Sequence, residues 1–342
     1  MMPQPTLFLA LETSCDETAA AVFTDEPRIL SNVVASQTDL HARFGGVVPE
    51  VAARAHLQRL FPVIDEALRE ADARLTDIGC VVVHHMPGLI GALLVGVSAA
   101  KMLAMTLQVP LIGVNHVHGH LYAGQLAAGR DIFPCVGLVV SGGHTLLFDC
   151  RSALEFHRLG GTIDDAAGEA FDKVAALLGL GFPGGPAVER EAAQGNPRAF
   201  AFPRAFLHED RLDFSFSGLK TAVLYAFAGQ GNPRPAHTPE GPLRANLAAS
   251  FQQAVVDILV AKSRQALLRL RHRRLTVGGG VAANGALRSA LEAMCGKQGV
   301  ELIIPPMNLC TDNAAMAAMA IESWRLGRFS ALDLDAVSVL DV

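Results

Sequence analysis

Short apolar runs separated by polar or glycine-rich turns recur along this chain. Residues 7–11 and 19–23 flank a polar turn at 12–18, and residues 134–138 and 146–148 flank Ser141-Gly142-Gly143. Each pattern predicts a β-hairpin at the edge of an apolar sheet. Consecutive glycines tolerate positive φ and let backbone N–H groups approach an anion. The two units therefore predict two halves built alike around a shared phosphate-binding cleft, with an ordinary turn as the alternative for each.

Further strand-like runs alternate with helical patterns, which predicts an α/β fold. The boundary between two domains is placed at 115/116, giving 1–115 and 116–342, with the C-terminal helix crossing back to the first. The segment 89–108 is apolar nearly all round, as in a helix buried between layers. The stretch 229–241, rich in Gly and Pro, predicts an exposed loop. Helices are predicted at 50–71, 89–108, 164–178 and 242–270, the last as one helix or two. Three more are predicted with one end only: one that starts at 115, one that ends at 293 and one that starts near Asp312. Strands are predicted at 80–84, 111–114, 275–277 and 301–304.

The composition fits a compact enzyme with two cores, since the chain has 342 residues of which 51% are hydrophobic. Six cysteines without a C-x-x-C pair indicate reduced thiols in a cytosolic protein. The first cation is Arg28, so the basic region of a signal peptide is not expected. The apolar run 86–100 looks too short to cross a bilayer, and we expect no membrane contact.

The net charge of −5 gives no overall attraction to nucleic acid, so any RNA contact must come from a local basic patch. The best sequence candidate is the run between 262 and 274. The same run could instead be a solvated helix end that favours the helix dipole. Its basic residues are Lys262, Arg264, Arg269, Arg271, His272, Arg273 and Arg274.

Two further glycine loops point to an anion. Gly278-Gly279-Gly280 lies between a predicted strand and a predicted helix, whose N-terminus offers free N–H donors. The pattern is not G-x-G-x-x-G, so a Rossmann dinucleotide site is not indicated. The loop 181–186 could form a wall for a nucleoside. A helix terminus that needs glycine is the alternative for each loop.

A pair of histidines has the spacing of metal ligands. His116 and His120 lie one helical turn apart on one face, whereas His118 lies on the opposite side. Asp312 could complete a set of two histidines and one carboxylate. A zincin would need Glu beside the first His, where this chain has Val117. Spacing alone leaves open two packing histidines with Asp312 as a plain N-cap.

The first polar turn concentrates acidic groups. Glu12, Asp16 and Glu17 lie in one turn with Cys15, and paired carboxylates of this kind hold a metal or handle protons. A solvated turn is the alternative. His84 and His85, which follow an apolar strand, are interpreted as structural.

Taken together, the motifs resemble the universal family of tRNA N6-adenosine threonylcarbamoyltransferases over residues 9–324. That family has the two-lobed actin-like ATPase fold of sugar kinases, Hsp70 and actin, which is α/β and RNase H-like with a central interlobe cleft. The resemblance rests on Glu12-Thr13-Ser14-Cys15-Asp16-Glu17-Thr18, Gly45-Gly46-Val47-Val48-Pro49-Glu50 with Arg54 and His56, His116-x-x-Gly119-His120, Val140-Ser141-Gly142-Gly143-His144-Thr145, the run 163–173, Pro183-Gly184-Gly185-Pro186, the run 214–221 and Cys310-Thr311-Asp312-Asn313-Ala314.

The resemblance implies roles for individual residues. His116, His120 and Asp312 match the ligands of one divalent metal ion, Fe²⁺ in preference to Zn²⁺. Asp16 and Glu17, with Cys15, match an acidic turn beside the reacting centre and are the catalytic candidates. The positions that match those holding the adenylate substrate are Val139, Val140, Ser141, Gly142, Gly143, Asp172, Gly185, Glu189 and Asn284.

The implied reaction moves a threonylcarbamoyl group from threonylcarbamoyl-AMP to N6 of adenosine 37 in tRNAs that read codons starting with A. The implied partners are tRNA, a catalytically inactive paralogous subunit and a small ATPase subunit, all in the cytoplasm. A small-molecule kinase of the same fold would not need the His pair, a metalloprotease would need the missing Glu, and a scaffold would be expected to lose both motifs. The chain departs from the family pattern at Met86, Asn115 and Gly285.

Overall fold

The computed structural model describes residues 5–230 and 237–339. The chain divides into two compact units, the first comprising Met1–Asp131, Ala153–Glu155 and Pro305–Val342, and the second Ile132–Ser152 and Phe156–Ile304. The division differs from the predicted boundary at 115/116, because the helix after 115 packs against the C-terminal segment within the first unit. The C-terminal segment does return to the first unit.

The first unit is built on a five-stranded mixed sheet in the order β3-β2-β1-β4-β5. Strands β1–β3 form an antiparallel meander, and β4 and β5 extend the sheet in parallel with β1. The parallel strands β1, β4 and β5 therefore end at the same edge of the sheet. The strands are β1 (Leu7–Glu12), β2 (Glu17–Thr24), β3 (Ile29–Ser36), β4 (Ile78–Met86) and β5 (Leu111–Asn115).

Two long helices cover this sheet, and Leu60, Ile64, Leu93 and Val97 join its core. The second of them, α3, has 18 residues and is long and apolar enough to cross a membrane by length and composition alone. It is longer than the run 86–100, and part of its surface is exposed. The helices of the unit are α1 (Thr38–Ala42), α2 (Pro49–Glu70), α3 (Ile90–Leu107) and α4 (His116–Ala128), with two others near the C-terminus and 3-10 helices at Leu75–Asp77 and Ala315–Met319.

The second unit repeats the theme, with a five-stranded sheet in the order β10-β9-β6-β7-β8. The hairpin β6–β7 pairs Val140 with Thr145 around the Ser-Gly-Gly turn, which confirms the second predicted hairpin. The strands are β6 (Cys135–Val140), β7 (Thr145–Ser152), β8 (Glu155–Gly161), β9 (Arg274–Gly278) and β10 (Glu301–Ile303). The helices are α5 (Ala167–Leu177), α6 (Gly184–Ala192), α7 (Ser217–Ala228), α8 (Gly241–Leu270) and α9 (Gly285–Gln298), with a 3-10 helix at Gly280–Ala283.

Most predicted elements are present, and α8 is one helix rather than two. The helix expected near Asp312 begins later, with the 3-10 helix at Ala315–Met319, and continues as α11 (Ala320–Arg325) after the short α10 (Met307–Cys310). Asp312 is not the N-cap of this 3-10 helix, which is Ala314, and the Oδ1 of Asn313 accepts from the backbone N–H of Met316 at 3.3 Å. Of the predicted loop 229–241, residues 231–236 lie outside the described residues.

Candidate metal centre and substrate loops

The helix that carries the His pair starts directly after β5. Asn115 caps α4, since its Oδ1 accepts from the backbone N–H groups of Val117 at 2.9 Å and His118 at 3.2 Å. The departure from the family pattern at Asn115 thus has a local role. The cap places the two candidate ligands in the first two turns of α4.

His116, His120 and Asp312 come together in the first unit. One ligand atom from each lies within 4.8 Å of the others. Asp312 Oδ1 is 3.1 Å from His120 Nε2 and 3.6 Å from His116 Nε2. Both imidazoles are buried, and Nδ1 of His120 has no hydrogen-bond partner among the described residues. Two imidazole nitrogens and a carboxylate around one point fit a divalent ion.

Glu12 orients the first of these histidines. Its Oε2 lies 2.9 Å from His116 Nδ1, and the Ser14 hydroxyl lies 3.1 Å from the same nitrogen. A carboxylate only accepts when ionised, so Nδ1 carries the proton and Nε2 is left to face Asp312. Carboxylate–histidine pairs of this kind set the tautomer of metal-binding imidazoles. His84 Nδ1 also lies 2.9 Å from Glu12 Oε2.

The electrostatics of this buried group are strongly shifted. Burial alone would raise the pKa of Glu12, but the charges and hydrogen bonds of His84 and His116 hold it well below its usual range. Burial alone would lower the pKa of His116, but Glu12 and Asp312 outweigh it and raise that pKa to about 9. Without a metal ion, His116 is therefore an imidazolium between two carboxylates at neutral pH.

The acidic turn 15–17 is half-buried beside this group. Burial, followed by the charges of Asp312 and Asp16, raises the pKa of Glu17 above its usual range. Burial and Asp16 raise the pKa of Cys15 well above its usual value, so its sulfur is a neutral thiol at pH 7. These shifts favour a carboxyl group over a thiolate as the reactive group of the turn.

Two glycines let neighbouring elements pack tightly on the start of this turn. A Cβ at Gly88 would lie 2.5 Å from the carbonyl oxygen of Ser14, and one at Gly96 would lie 2.4 Å from Thr13 Oγ1. The backbone N–H of Leu89 donates to Ser14 O at 2.8 Å. The loop that departs from the family pattern at Met86 therefore supports the turn through Gly88.

The glycines of the Ser-Gly-Gly turn in the second unit do not adopt the backbone conformation that was predicted for them. Gly142 and Gly143 do not have positive φ, and a Cβ at either would have no atom within 4 Å. The positions where a side chain would clash are instead two other glycines, which pack against the turn. A Cβ at Gly168 would lie 2.6 Å from Ser141 O, and one at Gly279, with φ +94, would lie 2.3 Å from Val140 O.

The remaining candidate adenylate residues hold loops of the second unit together. Asp172 Oδ1 accepts from the N–H of Gly184 at 2.7 Å, beside Gly185. Glu189 Oε1 accepts from the N–H of Gly285 at 2.7 Å. Asn284 caps α9 by accepting from the N–H of Leu287 at 3.0 Å. The structure thus brings Glu189 and Asn284 to neighbouring positions. Asp172 lies in α5, and its side chain contacts the first residue of α6.

The basic run 262–274 is only partly available to a ligand. Lys262 is fully buried, and its Nζ donates to the carbonyl oxygens of Glu209 at 3.0 Å and Arg211 at 2.6 Å. Arg269 pairs with an aspartate at 2.7 Å, and Arg274 with a glutamate at 3.4 Å. The predicted patch therefore shrinks to the exposed arginines for which the described residues provide no ion pair, which are Arg264, Arg271 and Arg273.

Sequence reasoning missed the role of Glu12 as the partner of His116 and the position of His84 beside it. The positions of these residues at the ends of predicted strands could have indicated that they lie together. Glu12 ends β1, His84 lies near the end of β4 and Asn115 ends β5. Because these adjacent strands are parallel, their carboxyl ends meet at one edge, where ligands of α/β sheets commonly bind.

Comparison with known proteins agrees with this arrangement. The sequence model of the family described as tRNA N6-adenosine threonylcarbamoyltransferase matches residues 28–319. A protein of that name from Rhodopirellula baltica is 53% identical over 341 residues, covering 96% of this chain and 95% of its own. Another of that name, from Halalkalibacterium halodurans, is 47% identical over 343 residues, covering 100% of this chain and 98% of its own.

Distant solved structures share the fold. Full-length HypF in a phosphate- and nucleotide-bound form superposes with a TM-score of 0.60 at 13% identity, over 96% of this chain and 58% of HypF. This chain thus spans little more than half of that protein. The (R)-2-hydroxyglutaryl-CoA dehydratase component A of Acidaminococcus fermentans gives 0.51 at 15% identity, over 92% of this chain and 96% of its own.

These neighbours and the two mixed sheets confirm the predicted two-lobed α/β fold. The matches to the two relatives extend over 96% and 100% of this chain. On the family match and these relatives, the chain belongs to the tRNA N6-adenosine threonylcarbamoyltransferase family.

Proposed function

We propose that this protein transfers the threonylcarbamoyl group of threonylcarbamoyl-AMP to N6 of adenosine 37 in tRNAs that read codons starting with A. The observation that carries the proposal is the match to this transferase family at about half identity over nearly the whole chain. The gathering of His116, His120 and Asp312 into one buried group supports it independently.

The three ligands would hold one divalent ion, with Fe²⁺ favoured over Zn²⁺ because two histidines and one carboxylate are the usual ligands of non-haem iron. A bound ion supplies Lewis-acid stabilisation of developing negative charge. Glu12 fixes the tautomer of His116, so that its Nε2 lone pair is available, and the cap at Asn115 sets the start of the helix.

The acidic turn would handle the proton of the reaction. As the new N6–C bond forms and the carbonyl carbon separates from the phosphate oxygen of AMP, N6 must lose a proton. The exocyclic amine of adenosine is a weak nucleophile, so a carboxylate placed to accept that proton would lower the barrier. We assign this role to Asp16, since burial and neighbouring charge keep Glu17 protonated and Cys15 a thiol.

The loops of the second unit would hold the adenylate. The open face of Gly142 and Gly143 leaves room for a phosphate beside their N–H groups. Val139, Val140 and Ser141 lead into this loop. The neighbouring contributors would be Asp172, Gly185, Glu189 and Asn284, whose side chains or backbone shape the starts of α6 and α9.

The partners follow from the same assignment. We propose that the protein acts in the cytoplasm on tRNA, together with an inactive paralogous subunit and a small ATPase, and receives threonylcarbamoyl-AMP from a separate adenylate-forming enzyme. A metalloprotease is disfavoured, because the glutamate that contacts His116 among the described residues, Glu12, is fully buried and bonded to Nδ1. A kinase would have no use for the His–Asp group.

The test is a nucleoside analysis of tRNA from cells depleted of this protein. Mass spectrometry should show loss of N6-threonylcarbamoyladenosine, with other modified nucleosides unchanged. Restoration by the wild-type gene would be the control. An unchanged amount of this nucleoside after depletion would refute the proposed function.

A further inference from the structure

A line of buried polar side chains lies beneath the acidic turn. His41, Gln37 and His56 are each fully buried, and together they connect the loop before α2 with the backbone of residues 15 and 16. We call these three residues the relay. All of them lie in the first unit, and none belongs to the candidate metal ligands.

The contacts of the relay fix the tautomers of its two histidines. The backbone N–H of Val48 donates to His41 Nδ1 at 3.2 Å, so the other ring nitrogen carries the proton and faces Gln37 Oε1 at 3.3 Å. The amide nitrogen of Gln37 faces the His56 ring, 3.4 Å from Nδ1 and 3.5 Å from Nε2, and also lies 3.5 Å from the carbonyl oxygen of Ala52. The carbonyl oxygen of Cys15 only accepts, so His56 Nε2 carries a proton and donates to it at 3.0 Å.

Two further contacts complete the arrangement. The Thr18 hydroxyl lies 2.8 Å from His56 Nδ1, which must accept because the other ring nitrogen donates. The backbone N–H of Gln37 donates to the carbonyl oxygen of Asp16 at 3.0 Å. Two consecutive carbonyl groups of the acidic turn, those of Cys15 and Asp16, are thereby fixed from below.

We propose that His56 is a positioning residue for the transfer reaction, holding the backbone of the Cys15–Asp16 turn through its Nε2 donor and its Thr18-fixed tautomer. Packing alone would not require this chemistry, since buried polar side chains cost free energy unless every group finds a partner. A leucine would fill a similar space. The hydrogen bonds from Thr18 to His56 and from His56 to Cys15 O give the turn a fixed support, as an active site needs to keep a carboxylate in place.

The experiment compares three variants at His56 in the full chain with its partners, and it rests on the proposed function. His56→Gln keeps a donor at the Nε2 position, whereas His56→Asn is polar but too short to reach Cys15 O. His56→Ala removes both the donor and the polar side chain. We expect kcat for transfer to tRNA to fall about 10- to 100-fold in His56→Ala and His56→Asn and to recover substantially in His56→Gln. KM for threonylcarbamoyl-AMP and the metal content should stay at wild-type values.

Thr18→Val gives a test that preserves the fold, because it removes only the hydroxyl that fixes the His56 tautomer at nearly constant volume. Like His56→Ala and His56→Asn, it should lower kcat. Equal kcat in the Gln and Asn variants, or wild-type kcat in His56→Ala, would overturn the proposal. Rates are normalised to folded protein by thermal unfolding. An inactive wild-type enzyme would instead count against the proposed function.

Discussion

The Oε2 atom of Glu12 lies 2.9 Å from Nδ1 of His116, although the two residues are 104 positions apart in the chain. This contact joins the end of the first strand to the start of α4. It makes the acidic turn and the candidate metal ligands parts of one buried polar group.

Replacing both His116 and His120 with alanine should abolish stoichiometric metal binding, since it leaves only one of the three ligands. His118→Ala is the matched control, because His118 lies on the same helix but outside the ligand group. Elemental analysis of the purified proteins provides the measurement. Unchanged metal content in the double variant would show that the ion binds elsewhere.

Glu12→Gln should weaken metal binding about 10- to 100-fold while leaving the ligands themselves in place. The amide removes the charge that fixes the Nδ1 proton of His116. Metal dissociation constants from chelator competition measure the effect. Glu26→Gln, an exposed change in the same unit, is the control and should leave the affinity unchanged. Equal affinities in both variants would contradict the role of Glu12.

Metal binding at neutral pH should release about one proton per ion, and the affinity should rise with pH until the pH approaches 9. The raised pKa of His116, about 9 in the metal-free protein, means that the imidazolium must lose a proton before its Nε2 binds an ion. The same shift implies that His116 stabilises the metal-free fold below pH 6.5 and that this contribution disappears as pH approaches 9. Calorimetry in buffers of different ionisation enthalpy would measure the proton count, and a value near zero would exclude the protonated state.

Gly143→Val should chiefly raise the apparent KM for threonylcarbamoyl-AMP without loss of stability, because the added side chain meets open space. Gly168→Ala is the contrast, since its Cβ would lie 2.6 Å from Ser141 O and should destabilise the fold. Steady-state kinetics and thermal unfolding separate the two effects. If Gly143→Val leaves KM unchanged, the loop does not hold the adenylate.

Neutralising Arg271 and Arg273 should weaken tRNA binding and flatten its dependence on salt, if the exposed remainder of the basic run contacts phosphates. Lys262→Met is a poor probe of RNA contact, because the buried ammonium group holds the carbonyl oxygens of residues 209 and 211. Filter binding over a range of salt concentrations measures the slope. An unchanged slope would show that tRNA contacts another surface of the protein.

Local patterns predicted much of this protein. Short apolar runs around polar turns predicted both hairpins, and the spacing of His116 and His120 predicted that they share one helix face. The partnership of Glu12 with His116 could not be predicted in this way, because it depends on which strands are neighbours in the sheet. The same limit applies to Lys262, whose burial depends on a loop more than fifty residues away. The positive φ expected at Gly142 and Gly143 is absent, and the close backbone contacts belong to Gly168 and Gly279 instead.

The central claim is that transfer to adenosine takes place at a centre built on His116, His120 and Asp312. The most direct measurement incubates unmodified tRNA and isotope-labelled threonylcarbamoyl-AMP with metal-loaded protein and its partners, and then analyses the tRNA nucleosides by mass spectrometry. We predict labelled N6-threonylcarbamoyladenosine with the wild-type protein and with His118→Ala, and none above background with the His116/His120 double alanine variant. Undiminished product from the double variant would contradict the account.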